Sequence, residues 1–408
     1  MRIIVKKFGG TSVSDISKMK RAASHIKGSL DKGFKVVVVV SAMGKETDRL
    51  MNLSKDLALY DKTDDLSALL SSGELVSSSL MAITLNRLNI KSKSYQGWQI
   101  PIFTDANASN AKIMDINIKL LKKRLSDNEV PVISGFQGIN KKNRITTLGR
   151  GGSDTTAVAL AAKLKADRCD IYTDVEGVFS ADPRIVPEAR KMNKINYEEM
   201  LELSSLGAKV LHTRSVQIAL RYNVNLQVLS SVSGKNGTML TKEDKNLEQH
   251  LVRGIAHNSN DALITLTEVK NKPGISAMIF NELSKDNINV DMIVQSGSTK
   301  DKHVTFAYTV AKSDANKAKT IMLEKKNKLQ LSDVIVNNSL CKVSVVGLGM
   351  KTNAGVANTM FGELAKNNIN IHVISTSEIK VSVLIDDKYK ELAIRSLHKA
   401  FKLSKTSN

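Results

Sequence analysis

The chain has 408 residues, with 60 Lys or Arg against 40 Asp or Glu and a formal charge of +20, a length that allows two or three domains with sizeable cores. It holds no run of about 18 apolar residues, so no membrane span is expected, and Cys169 and Cys341 are too few and too separated for a disulfide framework or a zinc site. The positive excess invites a nucleic-acid partner, but basic clusters such as Lys119–Arg124 are short and scattered and aromatics make up only 4% of the chain; lysine-rich solvated faces fit better, and no nucleic acid is expected.

The first residues run straight into an apolar strand with no signal-peptide pattern, which reads as a reduced, cytoplasmic chain. Arg2–Phe8 (RIIVKKF) is a strand that breaks at Gly9-Gly10-Thr11-Ser12, and a helix follows from about Asp15 to Lys27, ended by Gly28. Lys7 beside glycines and hydroxyls at a helix start suits a phosphate, although a Gly turn with a solvated lysine is also common. Lys35–Val40 (KVVVVV) carries the mark of a parallel strand buried on both faces, and the loop SAMGKETDRL follows it. SSGELVSSSLMAITLNRL starts the next helix, and Lys91–Tyr95 and Val130–Ser134 read as further strands.

Thr146–Leu164 (TTLGRGGSDTTAVALAAKL) is the most informative stretch. Gly151-Gly152 lets backbone amides approach a ligand, the helix beginning at Ser153 and Asp154 offers a positive dipole end, and Arg150 adds a planar fork for a carboxylate or phosphate. An ordinary glycine turn capped by Ser153 or Asp154 explains the same residues. The strand Arg168–Thr173 and the loop TDVEGVFSADPR come next. Strands alternating with helices over this length indicate an α/β sandwich. No Walker-type phosphate loop occurs, and Gly347-Leu348-Gly349 lacks the third glycine of a dinucleotide fingerprint and reads as a tight turn.

From about Thr241 the texture changes to a charged linker, TKEDKNLEQH, and then to an internal repeat. Gly274–Ser296 (GISAMIFNELSKDNINVDMIVQS) and Gly355–Ser377 (GVANTMFGELAKNNINIHVISTS) each follow a strand, at Ala262–Thr267 and Lys342–Val346, and each continues through a helix, an Asn-Ile-Asn turn and a second strand. Lysine-rich helices at Asp314–Lys326 and Lys388–Phe401 would complete two βαβ-containing modules.

The ordered set KKFGGTS at Lys6–Ser12, SGE at Ser72–Glu74, TLGRGGSD at Thr147–Asp154, TDVEG at Thr173–Gly177, ADPR at Ala181–Arg184 and LGAKVLH at Leu206–His212 resembles the aspartate kinases of the amino-acid kinase superfamily. The duplicated tail resembles that family's paired ACT regulatory domains. The resemblance implies an amino-acid kinase three-layer α/β/α sandwich over residues 1–240, a linker and first regulatory strand over 241–258, and tandem ferredoxin-like βαββαβ (ACT) modules over 259–335 and 336–408. It implies ATP-dependent phosphorylation of the aspartate β-carboxylate, the first step towards lysine, threonine, methionine and diaminopimelate. Glutamate or acetylglutamate phosphorylation, or a catalytically silent ACT amino-acid sensor, are the alternatives.

By the same resemblance, Lys7 holds the transferring phosphoryl group, Gly9 and Gly10 donate amides to it, and Lys209 is a second phosphate contact. Arg150 clamps the α-carboxylate of aspartate, Glu74 and Asp154 flank its ammonium, and Ser41, Thr47, Gly151 and Ser153 line the pocket. Thr173, Asp174, Asp182 and Arg184 form the nucleotide loop, and Mg²⁺ enters with ATP without an assigned protein ligand. An effector, lysine and/or threonine, would meet Asn271, Gly274, Ile275, Ser276 and Gln295 of the first module and Asn353, Gly355 and Val356 of the second, at an ACT interface that also joins a homodimer or larger homo-oligomer. Read singly, these residues have ordinary explanations: Glu74 as a carboxylate in a helix's first turn, Asp182 as a turn residue before Pro183, Lys209 as a solvated charge, and His212 as a satisfied histidine. Asn271 stands where relatives carry an acidic residue, and Thr213 and Ala354 where proline is common.

Overall fold

The computed structural model describes residues 1–55, 63–206, 210–233, 235, 237–242, 251–297, 302–350 and 353–404. The chain divides into two compact units: Met1–Phe179 with Lys191–Ser205 and Lys209–Asn246, and Ser180–Arg190 with Leu206–Ala208 and Leu247–Asn408.

In the first unit the strands are β1 (Ile3–Phe8), β2 (Lys35–Val40), β3 (Ser92–Tyr95), β4 (Ile102–Thr104), β5 (Ile113–Ile116), β6 (Val130–Ser134), β7 (Gln137–Ile139), β8 (Ile145–Thr147), β9 (Arg168–Thr173), β10 (Lys194–Asn196), β11 (Leu226–Ser230) and β12 (Thr238–Thr241). The helices are α1 (Ile16–Leu30), α2 (Glu46–Lys55), α3 (Asp64–Asn86), α4 (Lys119–Ser126), α5 (Gly152–Leu164), α6 (Tyr197–Ser205) and α7 (Thr213–Tyr222). Eight strands form one sheet in the order β10-β12-β11-β9-β1-β2-β6-β3, parallel except where β11 meets β12. The β-branched run of β2 lies inside the sheet between β1 and β6, buried from Val36 to Val40 as expected for a parallel strand covered on both faces.

Alternation along β1 decides what faces what. Phe8 joins Val36, Val38 and Val40 in a core with Met19, Ala23 and Ile26 of α1 and Met81 and Leu85 of α3. Lys7, one residue earlier, therefore points to the opposite face, where Asp154 of α5 meets it. This gives the three layers that the sequence implied.

Local details differ from the sequence expectation. Helix α1 passes through Gly28 and ends at Leu30, because Gly28 lies on the exposed side and only weakens the helix, while Gly33 (φ 78°) makes the left-handed exit. Residues read as loop after β2 include α2, which has Glu46 and Asp48 in its first turn and a Glu46–Arg49 ion pair. Helix α3 begins at Asp64 with Thr63 as its cap, well before Ser71. It is the one described helix long and apolar enough to cross a membrane, but half of its apolar window is buried within the protein. A second small sheet, β5-β4-β7-β8, has strands of only three or four residues and carries β8 directly into the Leu148–Gly151 loop.

The second unit holds β13 (Gly254–Asn258), β14 (Asp261–Lys270), α8 (Ile275–Lys285), β15 (Val290–Ser296), β16 (His303–Ala311), α9 (Ala315–Glu324), α10 (Lys326–Leu329), β17 (Asp333–Asn337), β18 (Leu340–Val346), α11 (Ala354–Lys366), β19 (Val373–Thr376), β20 (Lys380–Asp386) and α12 (Lys390–Ala400). Two antiparallel sheets result, β15-β16-β14-β17 and β13-β18-β20-β19. The first is a complete βαββαβ module around Ile264, Ile279, Phe306 and Tyr308. The second borrows its outer strand: β13, which precedes the first module in the chain, pairs antiparallel with β18.

Leu263 and Met292 of the first module pack against Leu340, Val373 and Leu384 of the second. Beside them the buried Lys342 ammonium lies 2.8 Å from both Asp261 and Asp291. Residues 347–349 form a tight turn in which a Cβ on Gly347 would lie 1.9 Å from the Leu251 carbonyl.

Candidate active site

A cavity of about 200 Å³ opens in the first unit where β1, α3 and α5 converge. Lys7, Ser41, Thr47, Glu74, Arg150, Gly151, Ser153 and Asp154 all line it. Residues contributed by five separate stretches of sequence are thus brought together by the parallel sheet, at the C-terminal ends of β1 and β2, where such folds leave a crevice.

Charge is concentrated here. Lys7 Nζ and Asp154 Oδ1 form a 2.5 Å ion pair, each side chain nearly buried, and Asp154 Oδ1 takes no hydrogen bond besides. The cap of α5 is Gly151, in a left-handed conformation and without a side-chain cap, so Asp154 is not engaged in capping. Glu74 is only 3% exposed and lies in the middle of α3, where no helix dipole favours its charge. Its Oε1 accepts the Ala42 amide at 3.0 Å, whereas its Oε2 is buried without a partner. Desolvation pushes its pKa up to about 8, only partly opposed by the Ala42 amide and by Lys7. A buried carboxyl oxygen without a partner, on a residue that lines a cavity, suits a cationic or hydrogen-donating ligand.

The glycine turn after β1 differs from the expected helix-terminus nest. Residues Gly10–Val13 form a single 3₁₀ turn, and α1 is capped separately by Asp15, whose Oδ1 accepts the Lys18 amide at 2.8 Å. The Gly9 amide already donates to the Tyr172 carbonyl at 3.2 Å. Gly10 is needed for close approach, since a Cβ there would lie 2.7 Å from the Ala42 carbonyl oxygen. Nearby, Ser12 Oγ is buried without a partner.

Two cavity residues were given no role in the sequence reading, Phe136 and Gly149, while Gly152 joins Gly151 in the lining as its glycine pair suggested. Phe136 adopts φ 70°, a left-handed backbone that is strained for a bulky residue, and a Cβ on Gly152 would lie 2.7 Å from its ring. The only sequence signal for it was its place just after the buried strand β6. His212 is no satisfied histidine: its Nδ1 is buried without a partner, and burial lowers its pKa.

The remaining expected residues lie elsewhere. Thr173 donates to Asp174 at 3.0 Å in the first unit, whereas Asp182 and Arg184 belong to the second and pair with each other through two hydrogen bonds between guanidinium and carboxylate. Lys209 lies outside the described residues. In the two C-terminal modules, Gly274 (φ 87°) caps α8, with Ile275 buried and Ser276 partly exposed behind it. Asn353 caps α11 through the Gly355 amide at 3.3 Å, and Val356 is buried in the first turn. The Asn271 amide donates to the Lys302 carbonyl, and Gln295 is exposed on β15.

Comparison with known proteins agrees with this architecture. Residues 2–230 match the Amino acid kinase family, and residues 267–325 and 343–401 each match the ACT domain. The chain is 45% identical over 404 residues to the aspartate kinase of Pseudomonas putida KT2440, covering 99% of this chain and 98% of the relative. It is likewise 45% identical over 406 residues to aspartokinase 2 of Bacillus subtilis 168, covering 99% of each. Among solved structures, E. coli aspartokinase III in complex with aspartate and ADP (R-state) superposes with a TM-score of 0.83 at 27% identity, covering 98% of this chain and 99% of that one. The lysine- and aspartate-bound T-state of the same enzyme gives 0.75 at 28% identity, with the same coverage.

Proposed function

This chain belongs to the aspartate kinase family, and from that premise we propose that the Lys7–Glu74–Arg150–Asp154 cavity is the aspartate site. The reaction is transfer of the terminal phosphoryl group of ATP to the β-carboxylate of L-aspartate, giving 4-phospho-L-aspartate. The observation that carries the site assignment is the pairing of an unsatisfied carboxylate, Glu74, with a positive Lys7 in one small cavity. That is the charge pattern needed by a substrate with an ammonium at one end and a reacting carboxylate at the other.

The β-carboxylate is ionised at neutral pH and needs no general base. The obstacle is bringing this anion against a polyphosphate, so catalysis rests on positioning and on cations. Arg150 grips the α-carboxylate with its planar fork. Glu74 and Asp154 receive the ammonium, which draws Asp154 away from Lys7 and frees that lysine for the phosphoryl oxygens. Ser41, Thr47, Gly151 and Ser153 shape the walls.

Gly10, Thr173, Asp174 and Lys209 are proposed nucleotide contacts, with Gly9 shaping the turn while its amide stays on Tyr172. Among the described residues no group of three or more His, Cys, Asp or Glu could hold a metal ion. Mg²⁺ is proposed to enter with ATP, the triphosphate supplying most of its oxygen ligands.

Regulation by lysine, threonine or both through the turns at Asn271–Ser276 and Asn353–Val356, with Gln295, is proposed from the ACT modules. So are a homodimer joined through those modules, a cytoplasmic location, and a place at the head of lysine, threonine, methionine and diaminopimelate synthesis. Trapping the acyl phosphate as hydroxamate, with ATP and aspartate, glutamate or acetylglutamate, tests the reaction. Product from another carboxylate but none above blank from aspartate would refute it.

A further inference from the structure

Arg150 stands between two glycines that both adopt left-handed backbone, Gly149 at φ 74° and Gly151 at φ 68°. Such a tripeptide has little conformational preference of its own, because glycine populates both signs of φ. Whatever aims the Arg150 fork must therefore act from outside the tripeptide.

The first turn of α7 does so from both sides. Arg214 donates from Nη1 to the Leu148 carbonyl at 2.9 Å and from Nη2 to the Ala111 carbonyl at 2.6 Å. Leu148 is buried, and its own amide donates to the Phe136 carbonyl at 2.8 Å, so the residue leading into Gly149 is fixed at both its polar atoms. Ala111 is itself tied to β8 through its amide and the Thr147 carbonyl at 2.9 Å. On the other side, the cap residue His212 packs so tightly on Gly151 that a Cβ there would lie 2.3 Å from His212 Cγ.

We propose that Arg214 is a positioning residue for aspartate recognition: by pinning the Leu148 carbonyl it sets the direction in which Arg150 meets the substrate α-carboxylate. This rests on the reading of Arg150 given above. The planar guanidinium spans two carbonyls at once, which a lysine ammonium on a flexible stem reproduces only in part. Neither carbonyl belongs to the substrate, so Arg214 acts through the loop and not on the reacting atoms.

Steady-state kinetics of the full chain carrying Arg214→Ala or Arg214→Lys, beside Arg150→Ala, tests this. The aspartate KM is expected to rise on the order of tenfold in Arg214→Ala, as for loss of one charge-assisted hydrogen bond. A smaller rise is expected in Arg214→Lys, with the ATP KM within about twofold of the parent in both. Millimolar guanidinium ion should lower the aspartate KM of Arg214→Ala, a rescue that general loss of stability would not give. An unchanged aspartate KM in either variant, or aspartate and ATP KM rising together, overturns the proposal. If Arg214→Ala does not fold, Arg214→Lys decides by the same criteria. An unchanged aspartate KM in Arg150→Ala would instead remove the assignment of Arg150 itself.

Discussion

Replacing Glu74 by glutamine tests the charge logic of the cavity, because burial holds this carboxyl at a pKa of about 8. At pH 7 a group with that pKa is about 90% protonated, and at pH 9 about 10%. The ammonium of aspartate stabilises the ionised form, so binding drives the proton off. About 0.9 proton should leave per aspartate bound at pH 7 and about 0.1 at pH 9, and the dissociation constant should fall about tenfold over that interval. The sign follows from a raised carboxyl pKa: the binding-competent anion appears only as pH climbs through 8. Calorimetric titration in two buffers of different ionisation enthalpy counts these protons directly. In Glu74→Gln the release should vanish, aspartate should bind more weakly at pH 9 than to the parent, and the slope with pH should flatten. Equal proton release in parent and variant, or release below about 0.2 at pH 7 in the parent, would refute the reasoning.

Arg150→Ala should raise the aspartate KM on the order of tenfold or more and leave the ATP KM nearly unchanged; the reverse pattern in initial-rate kinetics would assign Arg150 to the nucleotide. Gly151→Ala places a methyl against His212 at a left-handed position, so it should lower stability by roughly 1–3 kcal/mol and raise the aspartate KM, read by thermal unfolding and by kinetics. Lysine, threonine or the two together should shift the aspartate saturation curve; a curve that none of them moves removes the effector role of the Asn271–Ser276 and Asn353–Val356 turns.

Much of this was legible in the sequence, for identifiable reasons. The run Lys35–Val40 announces a doubly covered parallel strand because no polar side chain interrupts it, and the two copies around Asn-Ile-Asn announce a duplicated module. The cavity residues surfaced because glycines and charges cluster where the backbone must approach a ligand. What stayed hidden depends on partners distant in the chain. The strands β4, β5, β7 and β8 are too short to show alternation. Phe136 lines the site through a left-handed backbone angle that no pattern around it demands. The engaged Gly9 amide, the separate Asp15 cap and the grip of Arg214 on Leu148 are hydrogen bonds fixed by tertiary packing alone.

The borrowed strand β13 has a consequence for how the protein is made. During synthesis Gly254–Asn258 leaves the ribosome roughly eighty residues before Leu340–Val346, the strand it must join. At about 5–20 residues per second it waits several seconds or more with an open edge while the whole first module emerges and can fold. The first module thus forms inside a loop that the second must close. A fragment beginning at β14 would leave β18 paired only with β20 and with one edge open, whereas one beginning just before Gly254 keeps all strands of both sheets and is the natural piece for studying the regulatory half by itself.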